Sequence, residues 1–224
     1  MGLAYRSLGQ YKQAIEQFQQ ALNIAQELRD RRGESSHLGS IGLTYHDLGD
    51  EETAIEKFQQ ALIIAKEIED RRSEERQLGS IGLVYQSLGQ NEQAIKKFQQ
   101  ALTIAQEIGD HQGECSHLDS MGFTYHELGQ FEKAISMYEN SLTIKQELSD
   151  RHAEGQTLTN LGIVYRQQGE QQKALVACKE ALTKLHPDSP EYKNLLEWLQ
   201  KPDWLTLANN EHLLSDFGHA KGKT

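Results

Sequence analysis

Cysteine is scarce in this sequence, which limits the sites that could depend on a thiol. Only Cys115 and Cys178 occur in 224 residues, and their spacing matches neither a zinc site nor a disulfide framework. Nine histidines are present, including His37 and His46, but nine residues along a helix rotate by about 180°, so such a pair faces opposite sides. No candidate nucleophile stands beside a base. We therefore expect no metal site, no cofactor and no enzymatic activity.

Basic residues and long apolar runs are also lacking. Lys and Arg number 23 against 33 Asp and Glu, which gives a net charge of −10, whereas nucleic-acid-binding surfaces need clustered Lys and Arg. No apolar run approaches the roughly 18 residues that a membrane-spanning helix needs, and the N-terminus has no signal-peptide core. We expect a soluble, cytoplasmic protein without nucleic-acid or membrane partners.

What the sequence does contain is a repeat of forty residues. The segment LGSIGLTY at 38–45 recurs as LGSIGLVY at 78–85, LDSMGFTY at 118–125 and LTNLGIVY at 158–165, with no insertion between copies. A fixed period of this kind is typical of a repeat array, in which each unit packs only against its neighbours.

Each unit is predicted to be a pair of helices. Apolar residues recur every three or four positions, which indicates one buried face of a helix. Gly49 interrupts this pattern, and glycine can take the left-handed conformation that ends a helix. Asp30 and its equivalents precede the first helices, where a carboxylate caps free amides. The spacing predicts helices over about 31–47 and 51–68 of each register.

Five small and aromatic positions recur in five registers between residue 1 and about residue 190, and in the second register they are Gly42, Tyr45, Ala54, Phe58 and Ala61. This set resembles the tetratricopeptide repeat, although the period is forty residues and not the usual thirty-four or so. The longer form is similar to the repeats of the Pins/LGN cell-polarity adaptors and of bacterial, notably cyanobacterial, arrays. The resemblance implies an all-α, right-handed superhelix of antiparallel helix pairs that works in signalling as a protein-binding scaffold.

The register divides the chain into seven segments. We expect a partial repeat at 1–30, four further repeats at 31–70, 71–110, 111–150 and 151–188, a capping helix at 189–201 and a C-terminal tail at 202–224. Because Met1 falls inside the motif, the chain is either a piece of a longer protein or hides this edge against another copy. Apolar residues between Trp204 and Phe217 suggest that the tail either occupies a groove or extends the C-terminal cap.

The resemblance also implies which residues face a partner. In this family the first helices line the concave side, so first-helix positions outside the motif are candidates for a groove. Spacings of three and four residues put these positions on one face. We call them the groove set: Leu43, His46, Asp47, Arg76, Ser80, Leu83, Ser116, Ser120, Phe123, His126, Glu127, Gln156, Asn160, Ile163 and Arg166.

Apolar residues follow the motif glycine in every register of the groove set. The Pins/LGN relatives usually carry Asn there, so the family's ladder for a peptide backbone is absent and an acidic extended ligand is disfavoured. If Leu43 and its equivalents are exposed, they form an apolar row suited to an amphipathic helix or an apolar peptide. If superhelix curvature buries them, they belong to the core.

Acidity alternates along the array. Residues 31–70 carry 4 basic and 9 acidic side chains and residues 111–150 carry 2 and 7, whereas residues 71–110 carry 5 of each. The acidic surface is either a solvated face or a site for a basic partner.

These observations favour an adaptor that binds a peptide or helix of another protein, with self-association through the first repeat or the tail as a further option. The alternative is a ligand-sensing regulatory module of a larger signalling protein or effector enzyme. Further repeats alone in a parent sequence would favour the adaptor, and an attached effector domain would favour the sensor.

Deleting residues 71–110 should leave a helical, cooperatively melting protein, because each repeat stabilises mainly its neighbours. Deleting only 91–110 should not, because it removes half a repeat. Circular dichroism at 25 °C checks both variants. Loss of the helical signal in the forty-residue deletion alone would contradict the assigned register.

Overall fold

A computed structural model describes residues 1–200, so the expected tail at 202–224 and its proposed contacts lie outside the described residues. Residues 1–200 form helices and no strand. The helices are α1 (Gly2–Ser7), α2 (Tyr11–Glu27), α3 (Arg31–Leu48), α4 (Glu51–Glu67), α5 (Arg71–Ser87), α6 (Asn91–Ile108), α7 (His111–Glu127), α8 (Phe131–Glu147), α9 (Arg151–Gln167), α10 (Gln171–Lys184) and α11 (Pro190–Leu199).

These helices pair in succession, as the forty-residue period predicts. The expected all-α helical-repeat fold, of the α-solenoid class, is therefore confirmed. The chain forms two compact units, the first covering Met1–Met137 and the second starting at Tyr138. The boundary between them lies inside α8 and not in a turn, which the uniform repeat of the sequence does not indicate.

Glycine on the first helix of a pair lets the second helix approach closely. A Cβ added to Gly42 would lie 2.8 Å from the Phe58 ring, and one added to Gly82 would lie 2.6 Å from the Phe98 ring. Both rings are fully buried. No real Cβ fits at these distances, so any larger residue at Gly82 would force the helices apart or displace the ring.

Aspartate begins the first helices, as the sequence predicts. The Asp70 carboxylate accepts a hydrogen bond of 3.1 Å from the Ser73 amide, and the Arg32 guanidinium lies 3.0 Å from its other oxygen. Burial favours the protonated acid, but the hydrogen bonds from Ser73 and the charge of Arg32 outweigh it and lower the pKa of Asp70. This cap therefore contributes fully above the usual pKa of the acid and weakens as pH falls through the lowered pKa.

Residues in the left-handed conformation end the helices at the turns within a helix pair and at the turns between pairs. Within a pair, Gly49 takes φ 83°, as expected. Between pairs, Gly109 takes φ 67°, but Arg29 and Glu69 adopt φ 54° at the equivalent positions. A residue with a Cβ loses about 1–2 kcal/mol in this conformation, so the turn geometry is imposed by the helices that flank it.

Ionic contacts reinforce the first unit at equivalent places forty residues apart. The Arg31 guanidinium contacts the buried Glu34 carboxylate at 2.5 Å and also pairs with Glu67. Arg71 repeats the arrangement with Glu74 at 2.6 Å and with Glu107.

A buried pair between Glu75 of α5 and His117 of α7 has no counterpart in the motif and joins two first helices.

Helix α11 is the last helix among the described residues. The Ser189 hydroxyl accepts from the Tyr192 amide at 3.2 Å, and Pro190 occupies the first helical position. Leu195 and Leu199 are buried in one cluster with Leu158, Ala174 and Cys178. The helix thereby covers apolar surface of the last repeat.

Phe98→Ala should lower the free energy of unfolding by about 3–5 kcal/mol, because it leaves a cavity beside Gly82. The neighbouring Gln99 is exposed, so Gln99→Ala should stay within about 0.5 kcal/mol. Denaturant midpoints at constant slope measure both. Equal shifts for the two variants would show that the buried face of α6 is wrongly assigned.

Candidate partner-binding surface

The residue after the motif glycine differs in exposure from one register of the first unit to the next. In the first unit, α3 contacts α5 and α5 contacts α7, so these residues occupy equivalent places on adjacent first helices. Leu83 is 41% exposed and Phe123 is 47% exposed, while Leu43 is half-buried against Phe58, Ile81 and Val84. The row is therefore neither wholly core nor wholly surface: two members face solvent and the third is partly covered.

An aromatic group surrounds the exposed Phe123. The His126 ring lies 6.5 Å from the Phe123 ring in an edge arrangement and 6.2 Å from the Phe131 ring. Phe131 was not in the groove set, although it is an aromatic residue where the two preceding registers have Glu51 and Asn91. That departure from the repeat was the available signal.

Several polar members of the groove set are already engaged with each other or with neighbours. Arg6 donates to Asp47 with an Nε–Oδ2 distance of 2.5 Å, which joins two successive first helices. His46 Nδ1 lies 2.6 Å from Glu51 Oε2, and the Ser87 hydroxyl donates to Glu51 Oε1 at 2.9 Å. Sequence reasoning missed both Arg6 and Glu51.

The serines and glutamine of this face bond mainly to backbone. The Ser120 hydroxyl donates to the Ser116 carbonyl at 2.8 Å, and Gln86 Nε2 donates to the Ser120 carbonyl at 3.2 Å and to the Thr124 hydroxyl at 2.7 Å. Ser80 is half-buried. The two bonds of Gln86 join α5 to α7.

Arg76 is the basic member of the groove set in the first unit. It is exposed, and its guanidinium donates to the Ser73 hydroxyl at 3.3 Å on the same helix. Glu127 is exposed as well, 3.8 Å from His126 Nδ1. The surface therefore offers separate positive and negative positions around the apolar pair.

The second unit places its four members of the groove set along α9. Gln156 is exposed, with its Nε2 3.1 Å from His152 Nε2, and Asn160 and Ile163 are half-buried. The Arg166 guanidinium lies 5.0 Å from the centre of the Trp198 ring on α11. Arg166 thus takes part in the contact between the last repeat and the capping helix.

Both cysteines are buried, and burial raises the pKa of Cys178 to about 12, which keeps this thiol protonated and unreactive at neutral pH. No group of three or more His, Cys, Asp or Glu within residues 1–200 is arranged to hold a metal ion. Over the same residues, every helix is too short or too polar to cross a bilayer.

Paired helices with a packed interface and an accessible face on the first helices define a helical-repeat protein of the interaction type. The tetratricopeptide repeat model matches residues 1–67, 77–147 and 114–184. The chain therefore belongs to the tetratricopeptide repeat family.

Solved structures share the fold. The structure of BtubC from P. vanneervenii is 24% identical, with 84% of this chain and 80% of that chain covered at a TM-score of 0.75. Aspartyl phosphate phosphatase F from Bacillus subtilis is 18% identical, with 89% and 58% covered and a TM-score of 0.76. A Rap protein complexed with competence and sporulation factor is 17% identical, with 96% and 65% covered and a TM-score of 0.69. No curated protein matches the chain in sequence.

Proposed function

We propose that this chain is a non-enzymatic, cytoplasmic adaptor that binds an amphipathic helix of another protein on the groove set. The exposure of Leu83 and Phe123, at equivalent positions on adjacent first helices, is the observation that carries the proposal. Large apolar side chains exposed side by side are typical of interaction surfaces. The net charge of −10 disfavours a nucleic-acid partner.

The spacing of the two apolar residues fits a helix better than a single pocket. Packed helices lie about 8–10 Å apart, and two turns of a partner helix advance by about 10–11 Å. A helix crossing α5 and α7 would therefore place two apolar anchors, seven residues apart, next to Leu83 and Phe123. The His126 and Phe131 rings would widen the second contact.

Charge around the apolar pair sets the expected polar face of the partner. Glu51 and Glu127 favour basic residues at the edges of the partner helix, and the exposed Arg76 favours one acidic residue. The Arg6–Asp47 pair is already formed and contributes no net charge. The partner proposed here is thus amphipathic and weakly basic.

The proposed repeat boundaries are those of the forty-residue register, with units at 31–70, 71–110, 111–150 and 151–188 followed by the capping helix. The forty-residue repeat of this chain is similar to the repeats of the Pins/LGN adaptors and of bacterial arrays. This similarity supports an adaptor role. In the first unit, α3, α5 and α7 would then each contribute to the binding face.

A regulatory module is the second candidate. It is favoured by the structures of aspartyl phosphate phosphatase F and of the Rap complex, of which this chain matches 58% and 65%. In the second of these structures the Rap protein is in complex with competence and sporulation factor. A parent sequence with an attached effector domain would select this function, and one with only further repeats would select the adaptor.

Self-association is proposed through the first repeat. Ile24 is 56% exposed, whereas Ile64 at the equivalent position forty residues on is 7% exposed, because α1 has only six residues. A cavity of about 410 Å³ lies beside it, lined in part by Met1, Phe18 and Ala21.

If copies pair through this face, Ile24→Asp should shift the sedimentation coefficient to that of the monomer. An unchanged coefficient would refute self-association through the first repeat.

The adaptor proposal is tested with helical peptides selected against the immobilised chain from a library that fixes only apolar residues seven apart. Burial of each large apolar side chain contributes about 1.5–3 kcal/mol, so Leu83→Asp with Phe123→Asp should weaken the best peptide at least about a hundredfold. Fluorescence polarisation gives the Kd.

Leu88→Asp is the matched control, because Leu88 is 45% exposed but lies outside the groove set. It should change the Kd by less than about twofold, as expected for a residue outside the interface. The proposal fails if Leu88→Asp weakens binding as much as the groove variant, or if the groove variant binds as tightly as the wild type.

A further inference from the structure

An apolar cleft in the second unit has no function in the adaptor proposal. It has a volume of about 340 Å³ and is lined by α8, α9 and α10. We call it the α8–α10 cleft and define it by Leu142, Leu161, Tyr165, Val176 and Ala177, with Glu139 and Glu180 at its edge. No member of the groove set lines the cleft.

The equivalent cleft in the first unit is more polar. Because the repeat period is fixed, each residue of one cleft can be compared with its equivalent in the other. There, Lys57 and Gln60 line a cavity of about 410 Å³, and Lys57 pairs with Glu56 at 3.1 Å. In the α8–α10 cleft, Ala177 stands in the place of Lys57 and Val176 in the place of Glu56. An ion pair has thus been replaced by two apolar residues.

This replacement leaves apolar surface in contact with solvent. Val176 is 55% exposed, and Leu142 and Tyr165 are half-buried beside it. The Tyr165 hydroxyl donates to Glu139 Oε1 at 3.0 Å. Burial, followed by this hydrogen bond, raises the pKa of Tyr165 to about 12, so the hydroxyl remains a donor at neutral pH and fixes one wall of the cleft.

The last described helix, α11, packs against α9 and α10, two of the helices that line the cleft. Leu199, near the end of α11, is buried in one cluster with Leu158 and Ala174, and Leu158 also lines the cleft. Trp198 lies against Arg166, the residue that follows Tyr165. The remaining 24 residues can extend up to about 80 Å, far more than the roughly 10 Å between packed helices.

The composition of that segment matches the cleft. Residues 203–217 contain six large apolar side chains, which suit the apolar lining of the cleft by Leu142, Leu161 and Val176. A tethered segment also meets its own surface at an effective concentration that reaches millimolar. We propose that residues 203–217 bind in the α8–α10 cleft of the same chain, with Trp204 or a neighbouring leucine against Val176.

Trp204 provides the test in the full-length chain, since Trp198→Phe leaves it as the only tryptophan. Its emission should lie at shorter wavelength than that of a synthetic 201–224 peptide, and acrylamide should quench it several-fold more slowly. Both properties should stay constant on hundredfold dilution, because the contact is within one chain. Emission and quenching equal to those of the peptide, or protection that is lost on dilution, would overturn the proposal.

Val176→Lys in this background should move both values to those of the peptide, and Ala177→Lys, which restores the residue found at position 57, should do the same. The matched control is Ile63→Lys, because Ile63 is 58% exposed and lines the equivalent cleft of the first unit; it should change neither value. Far-UV circular dichroism confirms folding of each variant.

Protection of Trp204 that survives both cleft substitutions would also refute the proposal. Loss of protection in Leu83→Asp with Phe123→Asp would then place the segment on the groove set, and protection that survives all four substitutions would place it on α11.

Discussion

The close contact between a glycine on one helix and an aromatic ring on its partner is the constraint on which the rest of each repeat depends. Because Gly82 has no Cβ, the Phe98 ring fills the space that a side chain would occupy, and the two helices pack closely. The next residue along α5 is rotated by about 100° around the helix axis. The Leu83 side chain therefore points away from α6. The same contact therefore sets the core and presents the candidate binding surface. In the last repeat Cys178 takes the aromatic position, and a Cβ on Gly162 would overlap its sulfur.

Most of the fold could be predicted because its signals are local and repeated. Gly49 and Asp70 act on their own turn and helix end, and forty-residue spacing turns each local signal into an array. The division at Tyr138 lies inside α8 and not at a turn, so no turn residue in the sequence marks it. The left-handed conformation at Glu69 was equally hidden, since the flanking helices impose it against the preference of the side chain.

The candidate site was predictable only in outline. Subtracting the motif from the repeat selected Leu83 and Phe123 as candidates, but it left open whether they are exposed or buried by superhelix curvature. It could not show that Asp47 is paired with Arg6, or that Glu51 joins His46 to Ser87. These partners come from other helices, so the contacts depend on side-chain conformations and helix offsets that periodicity does not contain.

A double-mutant cycle at Gly82 and Phe98 tests the central contact most directly. In the wild type, Gly82→Ala should lower the free energy of unfolding by about 1–3 kcal/mol, because the added methyl overpacks against the ring. In the Phe98→Ala background the same change should be neutral or stabilising, because space is available and alanine favours the helix by about 1 kcal/mol. The two changes should therefore be coupled by about 1–4 kcal/mol. Equal destabilisation by Gly82→Ala in both backgrounds would contradict it.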